Sequence, residues 1–431
     1  MMKIDISEFV KPCSCGKTHG IVVDDIIIEK GAIRHLPEIL SRPRFAEMKN
    51  IVMVCDENTY EAAGKKVEEI LPRMKKVVLN PDNLHANEHG VGLAKEQLDA
   101  IGDVDLMIAV GSGTIHDITR YHAYQMNIPF ISVPTAASVD GFVSTVAAMT
   151  WNGCKVSITA VSPIVVVADT DIYKNAPLRL TASGVSDLLG KYTALADWKI
   201  AHILTGEYIC DEICQLEDKA LQSLVESLDG LTSGDTKAYE DLMYGLLLSG
   251  LAMQMTTNSR PASGAEHHMS HLWEMEVLND YIDFLHGEKV GVGLVLASKI
   301  YHKSAEIMAA GNFKVKDSMP LEEDFIKENF VKPEMLESIM KENTPNILDT
   351  VDSKKIVDCK DEIIKIIDTI PTADEIIAMI NKVKGMKSLE DLGFDESYQA
   401  KTAKLSPYVR QRLTWMRTLK FFDCYEEIIS C

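Results

Sequence analysis

Four of the chain's twelve histidines, His267, His268, His271 and His286, fall within residues 259–293. His267 and His271 stand at i and i+4, so on a helix they share one face. His286 opens the phrase His-Gly-Glu-Lys after an aromatic, acidic connector, and the apolar run from Val290 to Ala297 predicts a further, buried helix. Imidazoles at neighbouring helix ends, packed by apolar side chains, suit a divalent metal that takes neutral nitrogen ligands. A single histidine beside apolar residues is more often a packed core or surface group, and two histidines are too few. A catalytic site of the zinc type takes three protein ligands and keeps one position open. Asp187, in Ser183-Gly-Val-Ser-Asp187-Leu-Leu-Gly-Lys191, lies among small and apolar residues and offers a carboxylate. With Lys191 at i+4 the plain alternative is a helical ion pair worth about a few tenths of a kcal/mol.

A second group of residues could handle phosphate. Gly111-Ser112-Gly113 joins a hydrophobic strand at 105–110 to a helix at about 114–126. Glycines there let backbone approach a pyrophosphate, and the helix start supplies N–H donors and partial positive charge. The turn is not G-x-G-x-x-G, since His116, followed by Asp117, stands where the last glycine would be, so a tight turn without a ligand is the alternative. Asp56 ends an earlier strand, where it could accept from an adenosine ribose hydroxyl or serve only as a helix N-cap. Pro134-Thr135-Ala-Ala-Ser138-Val-Asp140-Gly follows a later strand; small hydroxyl side chains at a strand's carboxyl end suit a ligand crevice or an ordinary loop.

These residues need a scaffold. Strands are expected at 21–28, 51–55, 76–79, 105–110 and 129–133, with helices at 31–41, 57–71, 89–102 and 114–126 between them. That alternation implies right-handed crossovers and a parallel sheet. Beyond Ala176-Pro177 the chain reads as amphipathic helix almost throughout. The expected division is an α/β nucleotide-binding domain at 1–176 and an all-helical metal- and substrate-binding domain at 177–431. Residues 312–360, rich in Lys, Glu and Asp, read as a solvated helical excursion.

Composition narrows the function. The chain has 431 residues, a formal charge of −20 and 46% hydrophobic residues. That length allows two or three domains, and the acidic balance argues against a nucleic-acid surface. No apolar run reaches the ~18 residues of a membrane span. The start, Met-Met-Lys-Ile-Asp, lacks an apolar signal core, and nine scattered cysteines suit reduced thiols, so a cytoplasmic protein is expected. Cys13-Ser-Cys15 with His19 nearby has metal-ligand residue types but no clear fourth ligand. An N-terminal arm with incidental cysteines is the expectation there.

Taken in order, Gly111-Ser-Gly113 with Asp117, Val-Pro134-Thr-Ala-Ala-Ser-Val-Asp140-Gly, Ser183-Gly-Val-Ser-Asp187, Ser259-Arg-Pro-Ala-Ser-Gly-Ala-Glu-His267 and His286-Gly-Glu-Lys resemble the metal-dependent polyol dehydrogenase superfamily, which includes glycerol dehydrogenases and dehydroquinate synthases. Within it they are most similar to the bacterial sn-glycerol-1-phosphate dehydrogenases of phospholipid metabolism. The resemblance spans about residues 20–300. It implies an active site in a cleft between the two domains and Asp187, His267 and His286 as ligands of one divalent metal: zinc, nickel or iron. It implies His271 leaning towards the substrate and Asp140 touching substrate hydroxyls. Gly111, Ser112, Gly113 and Thr114 would hold the pyrophosphate of NAD(H), with NADP(H) possible, Thr135, Ser138 and Ser144 would line the nicotinamide, and Asp56 would meet the ribose. The implied reaction is reversible reduction of a phosphorylated triose, dihydroxyacetone phosphate, in a homodimer. The substrate phosphate calls for a cation, and Arg260, shortly before His267, offers a bidentate guanidinium; a structural ion pair is its other reading. Competing expectations are a glycerol dehydrogenase on an unphosphorylated polyol, a dehydroquinate-synthase-like lyase, and a nucleotide-binding protein without turnover.

Overall fold

The computed structural model describes residues 2–278 and 282–431; the middle of the connector ahead of His286, residues 279–281, lies outside the described residues. Among the described residues nine strands are present: β1 (Met2–Lys3), β2 (Asp25–Glu29), β3 (Ile51–Asp56), β4 (Lys75–Leu79), β5 (Leu106–Gly111), β6 (Phe130–Pro134), β7 (Val146–Trp151), β8 (Cys154–Thr159) and β9 (Val165–Asp169). Seven form one sheet in the order β1-β2-β9-β6-β5-β3-β4, parallel throughout except for β1, which pairs antiparallel at the edge. The central strands β5, β6 and β9 are buried along their whole length. That is why they read as unbroken apolar runs rather than alternating ones: helices cover both faces of a parallel sheet. Crossover helices α1 (Glu88–Ile101) and α2 (Gly113–Met126) contribute to this cover.

Strand β9 and the hairpin β7–β8 go beyond the expected set. The hairpin turns at Asn152-Gly153, both at positive φ (51° and 72°). Two consecutive left-handed residues make the type I′ turn that matches strand twist, and Asn-Gly is the pair that adopts it most readily.

Beyond β9 the chain is helical: α3 (Leu178–Leu189), α4 (Lys191–Thr205), α5 (Asp211–Ser233), α6 (Thr236–Thr256), α7 (Ala265–Glu274) and α8 (His286–Ala310), then shorter helices to the C-terminus. Within 312–360, short helices at Glu323–Asn329, Pro333–Glu342, Ile347–Thr350 and Ser353–Asp358 and the residues that end them bury Ile326, Phe330, Met335, Ile339, Leu348 and Ile356. Charged residues cover only their outer faces, so the expected solvated excursion is an amphipathic layer with its own share of the core.

Two compact units result. One comprises Met1–Trp151, Lys155–Gly184 and Gln222–Asn258; the other comprises Asn152–Cys154, Val185–Leu221 and Ser259–Cys431. The helical stretch therefore feeds both: α6 packs in the unit that contains the sheet, while α4, α7 and α8 lie in the other. Among the described residues no helix is long and apolar enough to cross a membrane.

Candidate active site: a metal-ligand triad and a nucleotide turn

In the helical unit, Asp187, His267 and His286 offer ligand atoms that all lie within 4.8 Å of one another. They arrive on three helices, α3, α7 and α8, and small residues let those helices meet. A Cβ on Gly291 of α8 would stand 2.9 Å from Ser186 Cβ, beside Asp187, and one on Gly293 would stand 2.6 Å from the carbonyl oxygen of Glu266, beside His267. The Val-Gly-Val-Gly run thus brings the helix that starts at His286 against both other ligand helices.

Each ligand is held from behind. His267 Nδ1–H donates to Glu266 Oε1 at 2.8 Å, and Nε2 faces Asp187 Oδ1 at 3.5 Å. Glu266 is fully buried; it also accepts from Gly264 N–H at 2.7 Å and from the Thr193 hydroxyl. A carboxylate on the remote nitrogen fixes the imidazole's tautomer and raises its basicity, the usual support of a metal-bound histidine. Burial pulls the His267 imidazole down, but the hydrogen bonds to Asp187 and Glu266 outweigh it and lift the ring to about 9. Burial would raise the Asp187 carboxyl; Lys191, His267 and His286 together hold it well below the usual carboxylate range. Lys191 Nζ, fully buried, donates to the Asp187 carbonyl at 2.8 Å and lies 3.3 Å from Oδ1. His286 Nδ1 lies 3.5 Å from Glu274 Oε1, which Lys289 Nζ also approaches at 3.2 Å. Asp187 is fully buried while His286 keeps 28% of its side chain exposed, so the triad is open on the His286 side.

His271, one turn along α7 from His267, stacks 6.0 Å from the His286 ring. Its Nδ1 has no hydrogen-bond partner among the described residues, and burial and Arg410 keep the ring neutral. His268 is not part of the ligand group; both its ring nitrogens are buried and without a hydrogen-bond partner among the described residues. Asp197 holds the start of α7: it accepts from Ala265 N–H (2.9 Å), Trp415 N–H (2.7 Å) and the Tyr301 hydroxyl (2.7 Å). Burial nonetheless pushes its carboxyl up to about 7.

Arg260 sits in this scaffold too. It is buried; its Nε lies 2.8 Å from Glu207, and Nη2 donates to Glu207 and to the carbonyls of Asp197 and Leu413. These partners anchor the lead-in to α7 and support the structural ion pair that is the other reading of Arg260.

In the sheet-containing unit, the residues expected at a nucleotide gather around the ends of β5 and β6. Thr135 N–H donates to the Gly111 carbonyl at 2.9 Å. Gly111 has no room for a side chain, since a Cβ would come within 2.5 Å of Ile115. Ser112 is the N-cap residue of α2, yet its hydroxyl makes no cap bond and lies 2.6 Å from the Ser138 hydroxyl instead. The first-turn N–H groups at Gly113 and Thr114 are therefore left uncapped by that side chain, the arrangement that receives a phosphate. Asp117 lies 3.5 Å from Arg120, whose guanidinium donates to the carbonyls of Gly141, Phe142, Ser144 and Val146. Asp117 thus braces the clamp that shapes the loop carrying Asp140 and Ser144. Asp140 Oδ2 accepts from Ser249 of α6 at 2.9 Å, and Ser144 Oγ bonds within its own turn to Val146. Asp56 caps the helix after β3, accepting from Thr59 N–H at 2.8 Å in a reciprocal capping box.

Glu266, Glu274 and Arg120 were not foreseen. Glu266 adjoins His267 in sequence, Glu274 lies three residues past His271, and Arg120 three past Asp117; these neighbourhoods are the signals that could have found them.

Comparison with known proteins bears on the same regions. Residues 27–177 match the iron-containing alcohol dehydrogenase family. The chain is 34% identical over 398 residues to the glycerol-1-phosphate dehydrogenase [NAD(P)+] of Geobacillus thermodenitrificans, covering 91% of this chain and 90% of that one. It is 40% identical over 309 residues to the enzyme of the same name from Bacillus licheniformis, covering 69% and 76%. Among solved structures it is similar to maleylacetate reductase from Agrobacterium tumefaciens, with a TM-score of 0.62 at 15% identity over 96% of both chains, a likeness of fold.

Proposed function

The chain belongs to the glycerol-1-phosphate dehydrogenase family, and on that footing we propose that it catalyses the reversible NAD(P)H-dependent reduction of dihydroxyacetone phosphate to sn-glycerol 1-phosphate. The observation that carries the reading is the triad of Asp187, His267 and His286, whose ligand atoms lie within 4.8 Å of one another in a chain so similar to those enzymes. Two imidazoles and one carboxylate, each braced by a charged neighbour, suit a single divalent metal such as zinc, nickel or iron; the donor set does not select among them. When bound, such a cation supplies Lewis acidity to the ketone oxygen and compensates the alkoxide charge. NAD(P)H supplies the hydride.

The chain's own side chains do the rest. Glu266 keeps the proton of His267 on Nδ1 and so leaves Nε2 for the metal. Lys191 balances the charge of Asp187 in a fully buried position, which lets the carboxylate remain ionised there. His271, neutral and with Nδ1 unpartnered among the described residues, can hydrogen-bond a substrate oxygen. Asp140, aimed by Ser249, would meet substrate hydroxyls. Gly111, Ser112, Gly113 and Thr114 would carry the pyrophosphate, Thr135, Ser138 and Ser144 would border the nicotinamide, and the Asp56 carboxylate would take the ribose hydroxyls and disfavour a 2′-phosphate. Nucleotide binding then belongs to the α/β part, expected at 1–176, and metal and substrate binding to the helical part, expected at 177–431. A homodimer in the cytoplasm completes the proposal, supported by scattered thiols that suit a reducing compartment.

The test is NADH and NADPH oxidation with dihydroxyacetone phosphate against dihydroxyacetone, with and without a chelator. Faster turnover of the phosphorylated ketone, lost on chelation and restored by metal, is expected. Preference for the unphosphorylated ketone would move the assignment to a polyol dehydrogenase.

A further inference from the structure

The N-terminal arm holds a second group of metal-ligand side chains, unused by the chemistry above. The ligand atoms of Cys13, Cys15 and His19 lie within 4.8 Å of one another. The arm is not loosely laid: Cys13 is 8% and His19 4% exposed. Its backbone doubles back in a small hairpin. Pro12 bridges Thr18, Cys13 N–H donates to the Lys17 carbonyl at 3.0 Å, and Gly16 N–H donates to the Cys13 carbonyl at 3.0 Å. Gly16 takes the left-handed conformation that closes the turn, with φ of 83°. This turn aims two thiols spaced i, i+2 and an imidazole four residues on at one point.

The orientation of His19 is the second observation. Its Nδ1 lies 2.9 Å from the Met255 carbonyl oxygen at the end of α6. A carbonyl only accepts, so Nδ1 carries the hydrogen and Nε2 carries the lone pair. Nε2 faces Cys15 Sγ at 3.4 Å. In a tetrahedral zinc site, with sulfur at ~2.3 Å and nitrogen at ~2.0–2.1 Å, the sulfur–nitrogen edge is about 3.6 Å. An imidazole held by a backbone carbonyl through its other nitrogen is also how metal-bound histidines are positioned.

We propose that Cys13, Cys15 and His19 bind a zinc-class cation, separate from the Asp187–His267–His286 site, that fastens the arm to the end of α6. Two thiols lose their protons to solvent on binding, and no electron is transferred. Two thiolates and a neutral imidazole around a dication give a complex of zero net charge, which suits a buried position. Soft sulfur donors select zinc over magnesium or calcium. The fourth position takes water or a further donor, and the sulfur count of the site decides which.

The experiment uses full-length protein purified without added metal, analysed for elemental content and then loaded with cobalt(II). His286→Ala, which leaves the arm intact, should retain one zinc per chain, and its cobalt form should show the near-ultraviolet thiolate-to-cobalt charge-transfer band. Cys13→Ser/Cys15→Ser should lose that ion and that band while keeping the metal that supports turnover. A cobalt-loaded His286→Ala protein without the thiolate band overturns the proposal, as does a Cys13–Cys15 disulfide in the protein purified under reducing conditions. This arm needs no cysteine variant to fold, and it is read independently of whether the catalytic metal assignment holds.

Discussion

Replacing Glu266 with Gln isolates one charge at the proposed metal centre. In the wild type Oε1 accepts from Gly264 N–H and His267 Nδ1–H at 2.7 and 2.8 Å, and Oε2 accepts from the Thr193 hydroxyl. A glutamine whose oxygen takes the Oε1 position keeps the first two bonds. Its amide nitrogen then faces Thr193 Oγ1, which can reverse and accept, because that hydroxyl also has the Gly190 carbonyl at 3.1 Å as an alternative acceptor. Every hydrogen bond survives and only the negative charge is lost. Outer-shell partners of metal-bound histidines are worth roughly ten- to a hundredfold in metal affinity, about 1.4–2.8 kcal/mol. The sign of the pH dependence follows from His267. In the metal-free protein this ring holds its proton up to about 9, so at pH 7 a metal must displace it, at a cost of about two decades in apparent affinity. Affinity should therefore rise as pH rises towards 9 and level off above it. Glu266→Gln weakens the hold on the proton as well as on the metal, so its deficit is partly masked at pH 7 and fully expressed above pH ~9. Competition with a chromophoric chelator at both pH values, with thermal unfolding as a control, measures this. Unchanged metal affinity at the higher pH in a normally folded variant would refute the role given to Glu266.

His286→Ala should abolish turnover and catalytic metal together while NADH still binds; losing Lewis-acid stabilisation of several kcal/mol costs about a thousandfold or more in rate. Its control is His268→Ala, which should keep that metal, and a His286→Ala enzyme with near-normal rate would sink the triad. Asp56→Asn preserves the N-cap, since Asn caps as well as Asp, and should narrow the gap between NADH and NADPH affinities in fluorescence titrations; an unchanged ratio would remove Asp56 from the ribose. Arg260→Ala should lower stability by about 1–3 kcal/mol, the discount from a fully buried pair reflecting a Glu207 side chain that is 34% exposed. It should shift KM for dihydroxyacetone phosphate and dihydroxyacetone alike, whereas a selective rise for the phosphorylated ketone would restore a phosphate contact.

What could be read in advance divides along the range of the interactions involved. Strands β5 and β6 were legible because burial on both faces writes itself as local apolar runs, and the glycine turn because β5 ends in it. Strand β9 and the β7–β8 hairpin carried signals of the same local kind, Val-Val-Val-Ala and Asn152-Gly153, and went unread among the small and polar residues around them. The metal triad was partly legible: the i, i+4 histidines mark a helix face, but Asp187 lies 80 positions before His267, and nothing local states that they meet. The statement is made by glycine. Gly291 and Gly293 read as a helix weakened by two poor formers, yet each lies where a methyl group would press on Ser186 or on the Glu266 backbone. Their cost in helix propensity is offset by the approach of α8 to both ligand helices, which only the folded chain displays. Arg260 shows the converse. Its sequence position beside the histidine helix suits a substrate contact equally well, and only Glu207, 53 residues away, reveals where the guanidinium is directed. Residue type says what chemistry a side chain can do; the long-range partner decides whether that capacity is spent inside the scaffold or left for a ligand.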